Sequence, residues 1–409
     1  MAILRIEEDI ITSKHDHICP RTTQFEELRT TPTAEQEAVQ VLPVLTLDAQ
    51  AVHTVVHQYG EPDIYHDPEV DALMAKLTPA EIAELVVGCG NDLILPMAHD
   101  WTVPGASGYS TYKFHDRGIS DISFCDGPAG VRLQQQAVVV KGKNKVKAIT
   151  PALEMLGYMP KVIRMFGFGK PSDGTLIYQY TTAFPVGTAL AQTWNEKLLE
   201  EVGRGVNAEL NEYGVSVWLA PGLNIHRNPL CGRNYEYFSE DPLLSGKMAA
   251  ALTRGAQCDG KHAVSLKHFF CNNQETNRGR MTSEVSERAI REIYLKGFEI
   301  GVREGKAKGV MTSYNRVNGV FSAVNKDAIT KVLRNEWGFD GMVLTDWDMW
   351  KEGCDADRSM YAGVDILMQG EKKQTKQIRE ALKNGTLDEK YVRRSASQVL
   401  RMIKISKGE

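Results

Sequence analysis

The chain has 409 residues, 42% of them hydrophobic and 24% charged, with a formal net charge of −4 at neutral pH. That balance fits a globular core and shell of enzyme size and speaks against both a nucleic-acid partner and a membrane surface, because no apolar stretch approaches the roughly 20 residues of a spanning helix. The seven cysteines, at 19, 89, 125, 231, 258, 271 and 354, lack CxxC spacing, and the opening MAILRIEEDIITSK lacks the basic-then-apolar pattern of a secretory leader. Neither a disulfide framework nor a zinc site is expected, and a reducing cytoplasm is the default location.

Residues 1–68 read as an N-terminal tail and connector. Positions 10–40 are polar and rich in Thr, Glu and Gln. They contain His15-Asp16-His17, but nothing nearby completes a ligand set, so the segment reads as a solvated tail without a metal site. VLPVLTL at 41–47 reads as a strand or extended connector, and YGEP at 59–62 as a turn.

From 69 onward, short apolar runs at 122–125, 183–187, 215–220, 263–266, 309–312, 342–345 and 364–368 alternate with segments of helical period at 196–213, 244–258 and 286–304. In 286–304, Ile290, Ile293, Tyr294, Gly297 and Gly301 fall on one stripe and charged side chains cover the rest. A closing helix is expected over 391–405. Strict alternation means a parallel sheet. Seven or eight units over about 330 residues suit a (β/α)8 TIM-type barrel, preceded by a short extended or irregular segment, better than an open doubly wound sheet, since no GxGxxG or GxxxxGK follows any strand. One insertion, about 134–179, interrupts the pattern after the first strand. Its VVVKGKNKV reads as a hairpin around a basic, solvated turn that can form a rim of the pocket.

In such a barrel the chemistry lies at the C-terminal strand ends. Asp126-Gly127-Pro128 follows the first run, Arg233 to Glu236 lies after the third, Lys267-His268 ends the fourth and Tyr314-Asn315 the fifth, while Asp346-Trp347 follows the apolar Met342 to Leu344. Carboxylates, a guanidinium, an ammonium and an imidazole beside an indole make a polyol-binding set; a phosphate site would want Gly-rich backbone and a metal site clustered His and acids. Structural alternatives stand beside each. Asp346 can cap a helix or turn, Asp126 can cap a turn, Arg233 can pair with Glu236 or Asp241, and consecutive Lys267 and His268 start on opposite strand faces unless the strand ends or bulges there. Asn272, Glu275 and Arg278 read as a supporting network, Cys231 and Cys271 as buried small groups, and Asp348 as the competing carboxylate.

Five segments, DGPAGVR at 126–132, APGLNIHRNPLCGRNYEYFSEDP at 220–242, LKHFFCNNQETNR at 266–278, MTSYNRVNG at 311–319 and GFDGMVLTDW at 338–347, resemble the consecutive signatures of glycoside hydrolase family 3, β-glucosidase branch, in family order over roughly 69–405. The resemblance implies a barrel that hydrolyses terminal non-reducing β-D-glucosyl residues with retention, acting on a β-glucoside or short oligosaccharide without a cofactor. It implies Asp346 as nucleophile, Asp126, Arg233, Lys267 and His268 as ligands of the sugar hydroxyls, and Met311, Tyr314 and Trp347 as the wall around the reacting carbon. In that branch the acid/base comes from a separate sandwich domain, and the His-Asp loop of the N-acetylglucosaminidase branch has no counterpart in KHFFCNNQETNR. The connector before the barrel resembles the junction in circularly permuted members. The chain is therefore expected to be the C-terminal half of such an enzyme, with its acid/base unassigned here and supplied by a sandwich-domain chain, a longer precursor or an oligomer. The other functional reading is a sugar-binding or vestigial barrel with little turnover.

Overall fold

Short, β-branched apolar runs that can be covered on both faces pair in parallel when helices return the chain to the same edge, and five such strands form the centre of the protein. The computed structural model describes residues 60, 64–89, 103–110, 112–142, 146–148, 171–349 and 353–408, with the backbone at Leu4–Arg5 and Glu26–Glu27. Two units result, Met1–Gln58 and Tyr59–Glu409. In the first, Leu4–Arg5 pairs antiparallel with Glu26–Glu27. His15-Asp16-His17 and 41–47 lie outside the described residues, as does most of 59–62.

In the second unit β1 (Ser123–Asp126), β2 (Val217–Leu219), β3 (Ala263–Phe269), β4 (Gly309–Thr312) and β5 (Met342–Leu344) are neighbours in that order, every pair parallel. Isolated bridges carry the ladder from Leu344 to Ile366, from Leu367 to Val87 and from Cys89 to Tyr109. Gly108–Tyr109 then pairs antiparallel with β1. The result is a curled α/β sheet of TIM-barrel-like kind. Its antiparallel member departs from a strict repeat of identical parallel units. The extended pieces at 87–89 and 108–109 precede β1, so the run at 122–125 is not the first strand of the sheet.

Helices Glu196–Tyr213, Pro242–Ala256 and Glu389–Lys407 lie close to the periods read from sequence. The expected helix at 286–304 is broken: Glu287–Ala289 leads into a wide π turn at Ile290–Tyr294, where the Leu295 N–H donates to the Ile290 carbonyl at 2.8 Å, before Lys296–Arg303 continues. Gly301 lets this last helix lie on β3, since a Cβ there would come within 2.7 Å of Leu266. The run at 183–187 is not a strand. Pro185 cannot donate to a ladder, residues 183–186 join no strand although the Phe184 N–H donates to the Ala129 carbonyl at 2.9 Å, and Gly187–Ala191 is helical. The insertion contributes its own antiparallel sheet, Val146–Ala148 and Gly174–Tyr178 flanking Gln136–Val140.

Asp365 ties the sheet to its helices. It is fully buried; Oδ2 accepts from Arg334 Nη2 at 2.6 Å and from the Val343 N–H at 2.7 Å, and Arg394 Nε lies 3.8 Å from Oδ1. Arg334 and Arg394 also donate to the carbonyls of Gly341, Gly363 and Met360. Removing one partner of such a buried set leaves uncompensated charge. Asp365→Ala is expected to lower unfolding stability by about 3–5 kcal/mol, measured by chemical denaturation; a loss of the size of a surface substitution would refute this role.

Candidate active site

Because the five strands are parallel, their C-terminal ends open on one mouth, and the polar residues read from sequence gather there. Asp126 is the last residue of β1. One of its carboxylate oxygens accepts from Lys267 Nζ and the other from Arg132 Nη2 at 2.7 Å. Burial opposes ionisation of Asp126, but the charges of Lys267 and Arg132 outweigh it and hold the pKa at about 2. Arg132, six residues along in DGPAGVR, was not singled out from the sequence.

Lys267 and His268 both turn into the mouth because β3 bulges between them and β4. Val310 pairs with Leu266 but Thr312 with Phe269, so β3 spends one more residue than its neighbour over the same rise. The Asn224 side chain takes up the backbone groups that the slip releases. Its Oδ1 accepts from the His268 N–H at 2.8 Å and its Nδ2 donates to the His268 carbonyl at 2.9 Å. The His268 ring has Nδ1 3.3 Å from both Asn224 Oδ1 and the Tyr237 hydroxyl, with Nε2 3.7 Å from Asp346 Oδ2. Burial, then the charges of Arg233, Lys267 and Arg278, push its pKa well below the ordinary value, so the imidazole is neutral. Asn224 and Tyr237 lie inside the 220–242 motif but were not singled out from the sequence, since spacing does not reveal the bulge in β3 beside which they sit.

Arg233 precedes the turn Asn234–Glu236, and its Nε donates to Glu236 Oε1. Asp241, the other candidate partner, instead caps helix Pro242–Ala256 through the Leu243 and Leu244 N–H groups. Asp346 emerges two residues past β5, buried. Its Oδ1 accepts from the Trp347 N–H at 2.7 Å, while Oδ2 has no hydrogen-bond partner among the described residues. Burial raises its pKa, opposed by Arg233, the Trp347 N–H, Lys267 and Arg278. Asp348 lies beyond in left-handed backbone, φ 60°.

Met311 pairs with Leu344 in the ladder and is buried. Trp347 donates its Nε1 to the Ser107 carbonyl at 3.0 Å, which fixes the indole. The Tyr314 phenol faces Asp346; burial, then that carboxylate's charge, keeps it protonated. Asn272, Glu275 and Arg278 form one chain of contacts. Asn272 Nδ2 donates to Glu275 Oε1 at 3.1 Å, Arg278 Nη1 to Glu275 Oε2 at 2.7 Å, and the Arg278 guanidinium lies 4.1 Å from the Tyr314 ring centre. No group of three His, Cys, Asp or Glu able to hold a metal exists among the described residues.

The arrangement leaves one buried carboxylate oxygen without a hydrogen-bond partner among the described residues, in a mouth that also holds Arg233, Lys267 and His268. Because the folded state raises the pKa of Asp346, ionising it costs stability above that pKa, and the cost vanishes as pH falls through it. Asp346→Asn should stabilise the protein at about pH 7 by roughly 1–3 kcal/mol, the penalty of an unpaired buried group, and the gain should fade by about pH 4. Denaturation midpoints at the two pH values test this; an unchanged or reduced midpoint at neutral pH counts against it.

Comparison with known proteins bears on the family. The family model described as "Glycosyl hydrolase family 3 N terminal domain" matches residues 172–402. The β-glucosidase A of Butyrivibrio fibrisolvens is 38% identical over 329 residues, 80% of this chain and 33% of that protein. An exo-α-(1→6)-L-arabinopyranosidase of Bifidobacterium longum is 47% identical over 189 residues, covering 46% of this chain and 24% of that protein. β-Glucosidase 3B from Thermotoga neapolitana, solved with α-D-glucose, superposes with a TM-score of 0.68 at 38% identity, over 82% of this chain and 42% of that one. The chain thus spans about a third or less of the length of these curated relatives. With a family match that takes in more than half of its residues, the chain belongs to glycoside hydrolase family 3.

Proposed function

We propose that this chain carries the nucleophile and the sugar-binding half of a retaining exo-β-glycosidase acting on terminal non-reducing β-D-glucosyl residues. The observation that carries the reading is Asp346, a buried carboxylate at a strand tip with Oδ1 fixed by the Trp347 N–H and Oδ2 without a partner. In the proposed step Oδ2 attacks the anomeric carbon, a covalent glycosyl-enzyme bond forms as the glycosidic C–O bond breaks, and water later releases the sugar. Asp126, Arg233, Lys267 and His268 hold hydroxyls, and Met311, Tyr314 and Trp347 enclose the reacting carbon. β-Glucosidases among the relatives support a glucosyl unit, and the Bifidobacterium longum relative supports testing pentopyranosides beside it.

The acid/base in this proposal lies outside these 409 residues, on a sandwich domain of a longer protein or a second chain. Asp126, Glu236 and Glu275 each already accept from at least one cation, which lowers their fitness as proton donors. The same engagement favours the second reading, a sugar-binding barrel with little turnover. The proposed architecture is a full (β/α)8 barrel over 69–409 with residues 1–68 as connector, supported by the bridges that continue the ladder past β5. Cytoplasmic residence belongs to the same reading; Cys125, Cys231, Cys258, Cys271 and Cys354 are free thiols, as a reducing compartment would keep them.

A 2-fluoro glycoside with a good leaving group should label the chain covalently, and Asp346→Ala should abolish the adduct in intact-mass spectra. Labelling that survives in Asp346→Ala but disappears in Asp348→Ala would reassign the nucleophile, and a wild-type protein that binds sugar without labelling would favour the second reading. The chain alone should also cleave a dinitrophenyl β-glucoside far better than an alkyl glucoside or disaccharide, since general-acid help is worth roughly 100- to 10,000-fold and matters most for poor leaving groups. Efficient cellobiose hydrolysis by this chain would overturn the external acid/base.

A further inference from the structure

An ionised Asp346 needs positive charge nearby, yet a cation bonded directly to Oδ2 would block the lone pair that attacks. The charged and titratable groups around Asp346 come from several elements: Arg233 from the turn after β2, Lys267 and neutral His268 from β3, Arg278 and Glu275 from the loop after β3, and Tyr314 from the end of β4. His268 approaches Oδ2 to 3.7 Å, outside bonding range. Arg233 is bonded to Glu236 and Lys267 to Asp126, and Arg278 is likewise held on a carboxylate other than Asp346, with an aromatic face as its second contact. Its Nη1 is held by Glu275, which Asn272 holds in turn, and its Cζ lies over the Tyr314 ring, 4.1 Å from the ring centre. A guanidinium over a phenol face is an attractive pairing that also fixes the ring.

We propose that Arg278 is a positioning residue for the Asp346 reaction: clamped by Glu275 and stacked on Tyr314, it holds the phenol toward Asp346 and supplies positive charge without occupying the free carboxylate oxygen. Three consequences follow from that geometry. Neutralising Arg278 removes attraction for the ionised carboxylate, so Asp346 takes up a proton at higher pH. Lysine restores charge at the same place without the planar fork, and so restores the titration more than the placement of Tyr314. Loss of the Glu275 clamp frees the guanidinium to turn toward Oδ2, which would compete with attack.

This inference rests on the reading of Asp346 as nucleophile, and two measurements keep the failures apart. The first is the pH dependence of labelling by the 2-fluoro glycoside. In Arg278→Gln, which can still donate to Glu275, the acidic limb should move upward by about half to one pH unit, so that at a pH on the limb itself labelling falls roughly 3- to 10-fold relative to the variant's own plateau. Arg278→Lys should keep the limb near the wild-type position. The side chain is 38% exposed, so neither substitution empties a core site. The second measurement needs no labelling: the rise in denaturation midpoint produced by Asp346→Asn at about pH 7 should be larger in the Arg278→Gln background than in the wild type. A limb that stays in place in Arg278→Gln, or that moves equally in Arg278→Lys, overturns the proposal, and so do additive midpoints. Absence of labelling in the wild type would instead reject the nucleophile, with the midpoint cycle still deciding whether Arg278 and Asp346 are coupled.

Discussion

Parallel register is the constraint on which everything else in this molecule depends. Antiparallel strands would send alternate tips to opposite ends; β1 to β5 deliver all of theirs to one mouth. Asp126, Lys267, His268, Tyr314 and Asp346 are scattered over more than two hundred residues of sequence and become neighbours only because each follows a strand that points the same way. The buried Asp365, with Arg334 and Arg394, secures this geometry at the far side of β5 by joining strand backbone and two helices through one carboxylate.

The mouth is also an exercise in keeping charge ionised in a dry place. Two of its carboxylates follow opposite courses. Asp126 has both oxygens engaged by cations and stays ionised far into acid, whereas Asp346 keeps one oxygen bare and is pushed toward protonation by its own burial. Environment, not residue type, separates the two aspartates. His268, surrounded by three cations, remains neutral and can both donate and accept.

Much of this was legible in the sequence where local pattern governs. The apolar runs at 122–125, 215–220, 263–266, 309–312 and 342–345 announced their strands, and the spacing of apolar residues announced helices at 196–213 and 391–405. What escaped notice depended on tertiary context. The run at 183–187 is apolar yet contains Pro185 and precedes a helix, so hydrophobicity outvoted hydrogen-bonding capacity. The pieces at 87–89 and 108–109 pair over so few residues that no periodicity could develop. Arg132 and Asn224 lay inside recognised motifs, but their work appears only when Asp126 and the bulge in β3 are seen in place. The hairpin at 136–148 was readable because Val138 to Val140 on one side and Val146 on the other flank the basic, Gly-containing stretch KGKNK.

The bulge in β3 carries a wider consequence. Between Leu266 and Phe269 the strand spends one residue more than β4 does between Val310 and Thr312, and this surplus is what points two successive basic side chains the same way. Excising a single residue there would leave the flanking sequence motifs nearly intact while returning the strand to even spacing, and either the Lys267 ammonium or the neutral His268 ring would swing into the apolar layer beneath the helices. At this place in the sheet chain length is under tighter restraint than residue identity, so shortening by one position would do more harm than most replacements.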